Sequence, residues 1–97
     1  MLVALAALGL RIPLAGSLKE KRRVVRTLKD GLRQKFNVAV AEVDHHDLWQ
    51  RATLGVSAVG AEGYHLKKVM HEVERFVERH PEVEIISSEV TLHAQDD

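Results

Sequence analysis

The chain predicts an α+β domain in which a four-stranded antiparallel sheet carries two helices on one face. Three observations lead there. An almost wholly apolar run at residues 2–12 stops at Pro13; residues 51–59 alternate apolar and polar with a period of two; and two stripes of apolar residues at helical spacing separate the strand-like segments. The resulting order is βαββαβ. With each βαβ crossover right-handed, it closes into a ferredoxin-like sandwich.

The elements follow in order. Residues 2–12 (LVALAALGLRI) are apolar at nearly every position, as in a strand that is central in a sheet or covered on both faces. Ser17 and Glu20 form a capping box. The serine oxygen accepts a first-turn amide, the glutamate reaches back to the serine N–H, and a helix begins at Leu18. Leu18, Val25, Leu28, Leu32 and Phe36 place one stripe on a core until about Lys35, with Gly31 weakening the helix slightly. Residues 37–43 are short, partly β-branched and free of proline, which suits a second strand. Residues 44–50 then make a turn.

In the third strand Ala52, Leu54, Val56 and Ala58 mark the buried face. Leu66, Val69, Met70, Val73, Phe76, Val77 and His80 trace the second helix, which Pro81 closes. Residues 83–93 are the last strand, with Ile86, Val90 and Leu92 expected inward, and Asp96 and Asp97 expected to fray.

Ninety-seven residues are too few for two independent cores, so residues 1–97 are expected to be one domain. With 45% hydrophobic and 29% charged residues the chain is that of an ordinary globular protein. The absence of cysteine removes disulfides, thiolate metal sites and cysteine nucleophiles, and fits a reducing cytoplasm. The longest apolar stretch, residues 2–10, falls well short of the roughly 20 residues of a membrane helix. One asparagine and three glutamines are a depletion found in heat-adapted proteins.

The formal charge is zero, but it is an average over unlike halves. Residues 17–36 hold eight basic and two acidic residues, a net of +6, whereas residues 62–97 hold four basic and nine acidic ones, a net of −5. On a helix, Lys19, Arg22, Arg26, Lys29 and Arg33 fall within about 80° of one another. Together with Arg23 they are the expected nucleic-acid-binding residues, since cations one turn apart can follow a phosphate backbone. The alternative is a solvated face that pairs with acidic surface in this or another molecule. The only aromatic residues are Phe36, Trp49, Tyr64 and Phe76, and none falls on the first or third strand. Any RNA contact is therefore expected through shape and phosphate rather than base stacking.

The turn is the densest group of chemically able side chains: Asp44, His45, His46, Asp47, Trp49, Gln50 and Arg51. Imidazoles and carboxylates suit zinc, nickel or iron, which makes His45 and His46 weak metal candidates with an aspartate beside them. Adjacent histidines project to opposite sides of an extended chain, and no separated His/Cys pair completes a metal pattern. Acid–base work by His45 and Asp47 lacks an evident pocket or nucleophile. The plainer reading is structural, with the aspartates accepting turn amides, Trp49 covering a core edge and Arg51 answering a carboxylate. As an interaction turn, Asp44, Asp47, Trp49, Gln50 and Arg51 would meet a protein partner through the tryptophan and arginine. His65, His71 and His93 read as surface residues, and His80 as a helix-end residue whose positive charge the dipole favours.

The stretches SLKEKRRVV (17–25), FNVAVAEVD (36–44) and DLWQR (47–51) resemble the YlxP-like family of small bacterial proteins of unknown function. The motif falls on Ser17, Lys19, Glu20, Lys21, Arg22, Asp44, Asp47, Trp49, Gln50 and Arg51; His45 and His46 stand outside it. The resemblance implies a ferredoxin-like fold and, through gene association with translation and ribosome-maturation factors, RNA- or ribosome-linked work. It supplies no activity.

The expectation is a non-enzymatic cytoplasmic binding module with RNA or ribosome assembly factors as partners and no cofactor, membrane or small-molecule substrate. The alternative is a protein-interaction or homodimerisation domain that uses the basic helix and the Trp49 turn.

Overall fold

A computed structural model describes residues 1–95; Asp96 and Asp97, where fraying is expected, lie outside the described residues. The elements are β1 (Leu2–Arg11), α1 (Leu18–Lys35), β2 (Ala39–Asp44), β3 (Arg51–Gly60), α2 (Gly63–Glu78) and β4 (Glu84–Ala94). All pairings are antiparallel and the strand order is β2-β3-β1-β4, so the apolar β1 is central, as its composition predicts. Two helices on one face complete the ferredoxin-like α+β sandwich.

The core lies between the sheet and the helices. Ala4, Ala6, Leu8 and Leu10 of β1 and Ala52, Leu54, Val56 and Ala58 of β3 meet Val24, Val25, Leu28 and Leu32 of α1 and Leu66, Met70, Val73 and Val77 of α2. The capping box forms with one difference. Ser17 Oγ accepts the Glu20 N–H at 3.1 Å, but Glu20 reaches past Ser17 and accepts the Gly16 N–H at 2.8 Å. Gly31 costs α1 some helix propensity, yet a Cβ there would lie 2.7 Å from the Phe76 ring, so the missing side chain admits α2's aromatic. Phe76 in turn meets Phe36 edge to face at 6.1 Å.

Three expectations need correction. β2 begins at Ala39 rather than residue 37, and Ile86 is not inward: it is 41% exposed while Ile85 packs on the core. The β1–β4 register shifts between Gly9 and Leu10, so Leu10 lies opposite Ile85 and Gly9 opposite Ser87. One extra residue in a bulge inverts the alternation beyond it, which moves Ile86 to the outer side. A Cβ on Gly9 would collide with Ser87 Oγ, so glycine fits where the bulged strand crosses. Leu92 lies opposite the buried Ala4 and packs on the core as expected, whereas Val90 lies opposite Ala6 but is 36% exposed and outside the core cluster, because no helix residue reaches over this edge strand there.

Candidate functional site

Arg23, Thr27 and Gly31 lie on the flank of α1 nearest α2 and the start of β4, and the basic row lies on the opposite flank, beside edge strand β2. The contacts fix this arrangement: Arg23 meets Glu82, a Cβ on Gly31 would meet Phe76, and Arg33 donates to the Val40 carbonyl at 2.7 Å. The structure divides the expected nucleic-acid residues into two groups. Arg23 makes a two-pronged bond to Glu82, at 2.7 and 3.3 Å, and Arg33 covers a β2 carbonyl while lying 3.8 Å from Asp30. Lys19, Arg22, Arg26 and Lys29 form no ion pair among the described residues. The hydrogen bond from Arg23, reinforced by its charge, holds the Glu82 carboxyl below its ordinary range. The same bond, with the charge of the accepting Glu82 carboxylate, raises the pKa of the Arg23 guanidinium.

Lys21 sits between the basic row and the turn. It is the one buried charged residue among those described, fully enclosed, and its ammonium donates to the carbonyls of His45 and His46, the latter at 3.3 Å. Glu42 Oε2 is 2.8 Å away but outside hydrogen-bond alignment, so this third contact is a charge pair. A buried ammonium is tolerable only when its protons and charge are met, and here two carbonyls accept hydrogen bonds while the carboxylate balances the charge.

This anchor shapes the turn. His45 takes φ 64°, a left-handed conformation uncommon outside glycine, which aims its carbonyl at Lys21 and lets Leu48 N–H close the turn on the same oxygen at 3.1 Å. Asp44 Oδ1 accepts the His45 N–H at 2.7 Å. Gln50 ties the turn to the segment before α1, with Nε2 donating to the carbonyls of Pro13 and Ala15 at 3.1 and 3.3 Å. The start of the basic helix and the turn are therefore one bonded unit, which sequence spacing alone does not reveal.

The plainer reading of the turn holds at Asp44 and fails at three residues, the first being Asp47, whose carboxylate accepts no hydrogen bond from the described residues. Trp49 does not cover a core edge: it is 53% exposed, next to Leu48 at 49%. Arg51 pairs with no carboxylate among the described residues, and its buried Nε lacks a hydrogen-bond partner; it lies opposite Arg11 across β1 and β3. Lys21 already neutralises Glu42, the one half-buried acid nearby, and so holds the turn without either residue. The two histidines do not converge. His45 Nδ1 meets Thr53 Oγ1 and His46 Nε2 meets the Glu42 carbonyl, each at 3.0 Å. No group of three or more His, Cys, Asp or Glu residues that could hold a metal occurs among the described residues. His80 Nδ1 accepts the Glu82 N–H at 3.3 Å.

Lys21 is the site residue that composition conceals. Its signal is a gap in the apolar pattern, because Leu18 and Val25 are seven residues apart and Lys21 occupies the missing position of an 18-21-25-28-32 stripe.

The fold and this bonded corner define a small α+β sandwich domain with a one-signed helix flank beside an exposed turn. The family model described as "Protein of unknown function (DUF503)" matches residues 3–90, and the chain belongs to that family. It is 39% identical over 70 residues to the uncharacterized protein YlxP of Bacillus subtilis (strain 168), covering 72% of this chain and 76% of that protein. Neither description names a ligand, partner or reaction. No helix among the described residues is long and apolar enough to cross a membrane.

Proposed function

We propose that this domain is a non-enzymatic binding module for structured RNA, as in a ribosomal assembly, and that Lys19, Arg22, Arg26 and Lys29 carry the contact. The observation that supports it most is that these four cations stand in one row on a rigid helix and are left unpaired by the described residues. One turn is about 5.4 Å, so such a row can lie along successive phosphates. Arg23 and Arg33 take no direct part, because each already serves the fold. Trp49 and Leu48, exposed at the end of the row, favour a second contact at the same corner with a protein component of the assembly.

The test is the salt dependence of binding to mixed structured RNA. Four phosphate contacts give a slope of log K on log salt of roughly −3. The triple variant Arg22→Glu, Arg26→Glu, Lys29→Glu should flatten the slope and abolish binding without lowering the melting temperature. Failure of the native chain to bind RNA even at low salt rejects the proposal.

A further inference from the structure

We propose that the free edge of β4 pairs with the same edge of a second copy of this chain, joining two sheets into one through an antiparallel β4–β4 contact. The sheet has two outer strands, β2 and β4, and their edges are finished differently. Gln95 N–H donates to the Met1 carbonyl at 3.0 Å, so the residues of β4 bonded to β1 are Ser87, Glu89, Thr91 and His93. By alternation, Ser88, Val90, Leu92 and Ala94 turn their N–H and C=O groups away from the sheet. On β2 the outward carbonyls are those of Val40 and Glu42, and both are taken. Arg33 meets the first at 2.7 Å and His46 Nε2 the second at 3.0 Å. β4 has no such cover, since nothing among the described residues bonds to its outward backbone groups. It also lacks the lysine or proline that commonly blunts an edge. An open run of backbone donors and acceptors is a template for another strand.

The partner strand is a second β4 because residues 88–94 (SEVTLHA) are self-complementary about Thr91. A two-fold axis at Thr91 sets Glu89 of each copy opposite His93 of the other, Val90 opposite Leu92 and Ser88 opposite Ala94. Backbone parity agrees with this register. The outward residues form the hydrogen-bonded pairs, Val90 with Leu92 and Ser88 with Ala94, while Glu89 with His93 and Thr91 with Thr91 form the closer pairs between them. Carboxylate thus faces imidazole, apolar faces apolar and hydroxyl faces hydroxyl, each a favourable cross-strand pair. Axes at Val90 or Leu92 leave Glu89 and His93 unmatched, and one at Glu89 opposes two carboxylates. Burial points the same way. Val90 lies on the helix side of the sheet yet is 36% exposed and outside the core, and Leu92 of the second copy arrives beside it. The register shift at Gly9 and Leu10 ends the regular edge just before Ser88, which leaves roughly 23 Å of pairing strand. An edge of that length buries less than the roughly 1,200 Å² of standard interfaces, so the dimer belongs to the weak, concentration-dependent class. The contact is isologous and uses neither the basic row nor the Trp49 turn.

Sedimentation equilibrium of the native chain over a concentration series should move from 10.9 kDa toward twice that mass. Hydrogen exchange should follow it by parity. The amides of Ser88, Val90, Leu92 and Ala94 should slow about tenfold as the chain is concentrated, while those of Ser87, Glu89, Thr91 and His93, already bonded to β1, stay unchanged. Val90→Pro removes one outward donor without touching the β1 ladder, and should keep the monomer mass with the circular-dichroism spectrum of a folded protein. Should that variant fail to fold, His93→Glu poses the same question on the surface. It should weaken the dimer about tenfold by opposing carboxylates, and adding Glu89→His should restore it. A native chain that sediments as a monomer at every concentration overturns the proposal, as does a dimer that survives both Val90→Pro and His93→Glu. A swap that fails to restore association overturns the Thr91-centred register. Concentration-dependent protection at Val40 and Glu42 instead would place the contact on β2, and a dimer lost in the Arg22, Arg26, Lys29 reversal would place it on the basic helix; either rejects the β4 edge.

Discussion

α1 and α2 cover the same sheet with similar apolar stripes but present different surfaces to solvent. α2 balances Lys67, Lys68 and Arg75 against Glu72, Glu74 and Glu78, whereas α1 carries eight basic residues against Glu20 and Asp30. Covering a sheet therefore does not require α1's charge. Of its eight cations, Lys21 is spent on the turn, Arg23 on Glu82 and Arg33 on a β2 carbonyl, while Lys35 lies within 6 Å of the Phe36 and Phe76 ring centres. The four left over are the row assigned to RNA. The comparison separates cations that hold the fold from cations that the fold displays.

The strongest way to test the shared part is to delete core volume from each helix. Leu28→Ala and Met70→Ala, both fully enclosed, should each cost about 3–4 kcal/mol in urea unfolding. A loss confined to one helix would contradict an equally shared core. Lys21→Ala comes next, at about 3 kcal/mol, because it leaves without its cation a Glu42 carboxylate that retains only slight solvent access and takes a donor from the His46 carbonyl, while the His45 carbonyl keeps only the Leu48 N–H. Lys19→Ala, one turn away and exposed, should stay within about 0.5 kcal/mol. Equal stability of the two lysine variants would mean that the buried ammonium is dispensable. Hydrogen exchange in the Lys21 variant should also show the Leu48 amide opening ahead of the core.

A sharper contrast comes from charge reversal with the fold intact. Lys67→Glu with Lys68→Glu on α2 should leave RNA affinity unchanged, whereas reversal of Arg22, Arg26 and Lys29 removes it; similar losses from both would indicate diffuse electrostatics rather than a row. The smallest effect is in pH. Because the folded pKa of Glu82 is depressed, the Arg23 link is present above the unfolded carboxylate pKa and is lost as pH falls through the lower folded value. Arg23→Met should make the melting temperature fall less steeply below the ordinary carboxylate range. An unchanged acid limb would show that this exposed pair contributes nothing measurable.

The strand and helix order was legible because each element states its period: β3 alternates over ten residues and α2 repeats at helical spacing. The β4 parity was not, since a bulge depends on the partner strand and leaves no mark on residues 84–94 by themselves. The basic row was legible for the same reason as the helices, as angular position follows from number. Which cations are free was not, because Glu82 lies 59 residues from Arg23 and the Val40 carbonyl belongs to another element.

Lys21 marks the boundary between these two kinds of information. The seven-residue gap between Leu18 and Val25 places it on the buried side of α1, a matter of periodicity alone. That its charge is tolerated there depends on His45 turning through φ 64° and on Glu42 arriving from β2. Local repeats set which face of each element is apolar, since the transfer of side chains from water follows residue type and spacing. The partners of the polar groups were decided in three dimensions, because burial removes water as an alternative and leaves only the donors and acceptors that distant segments bring into reach.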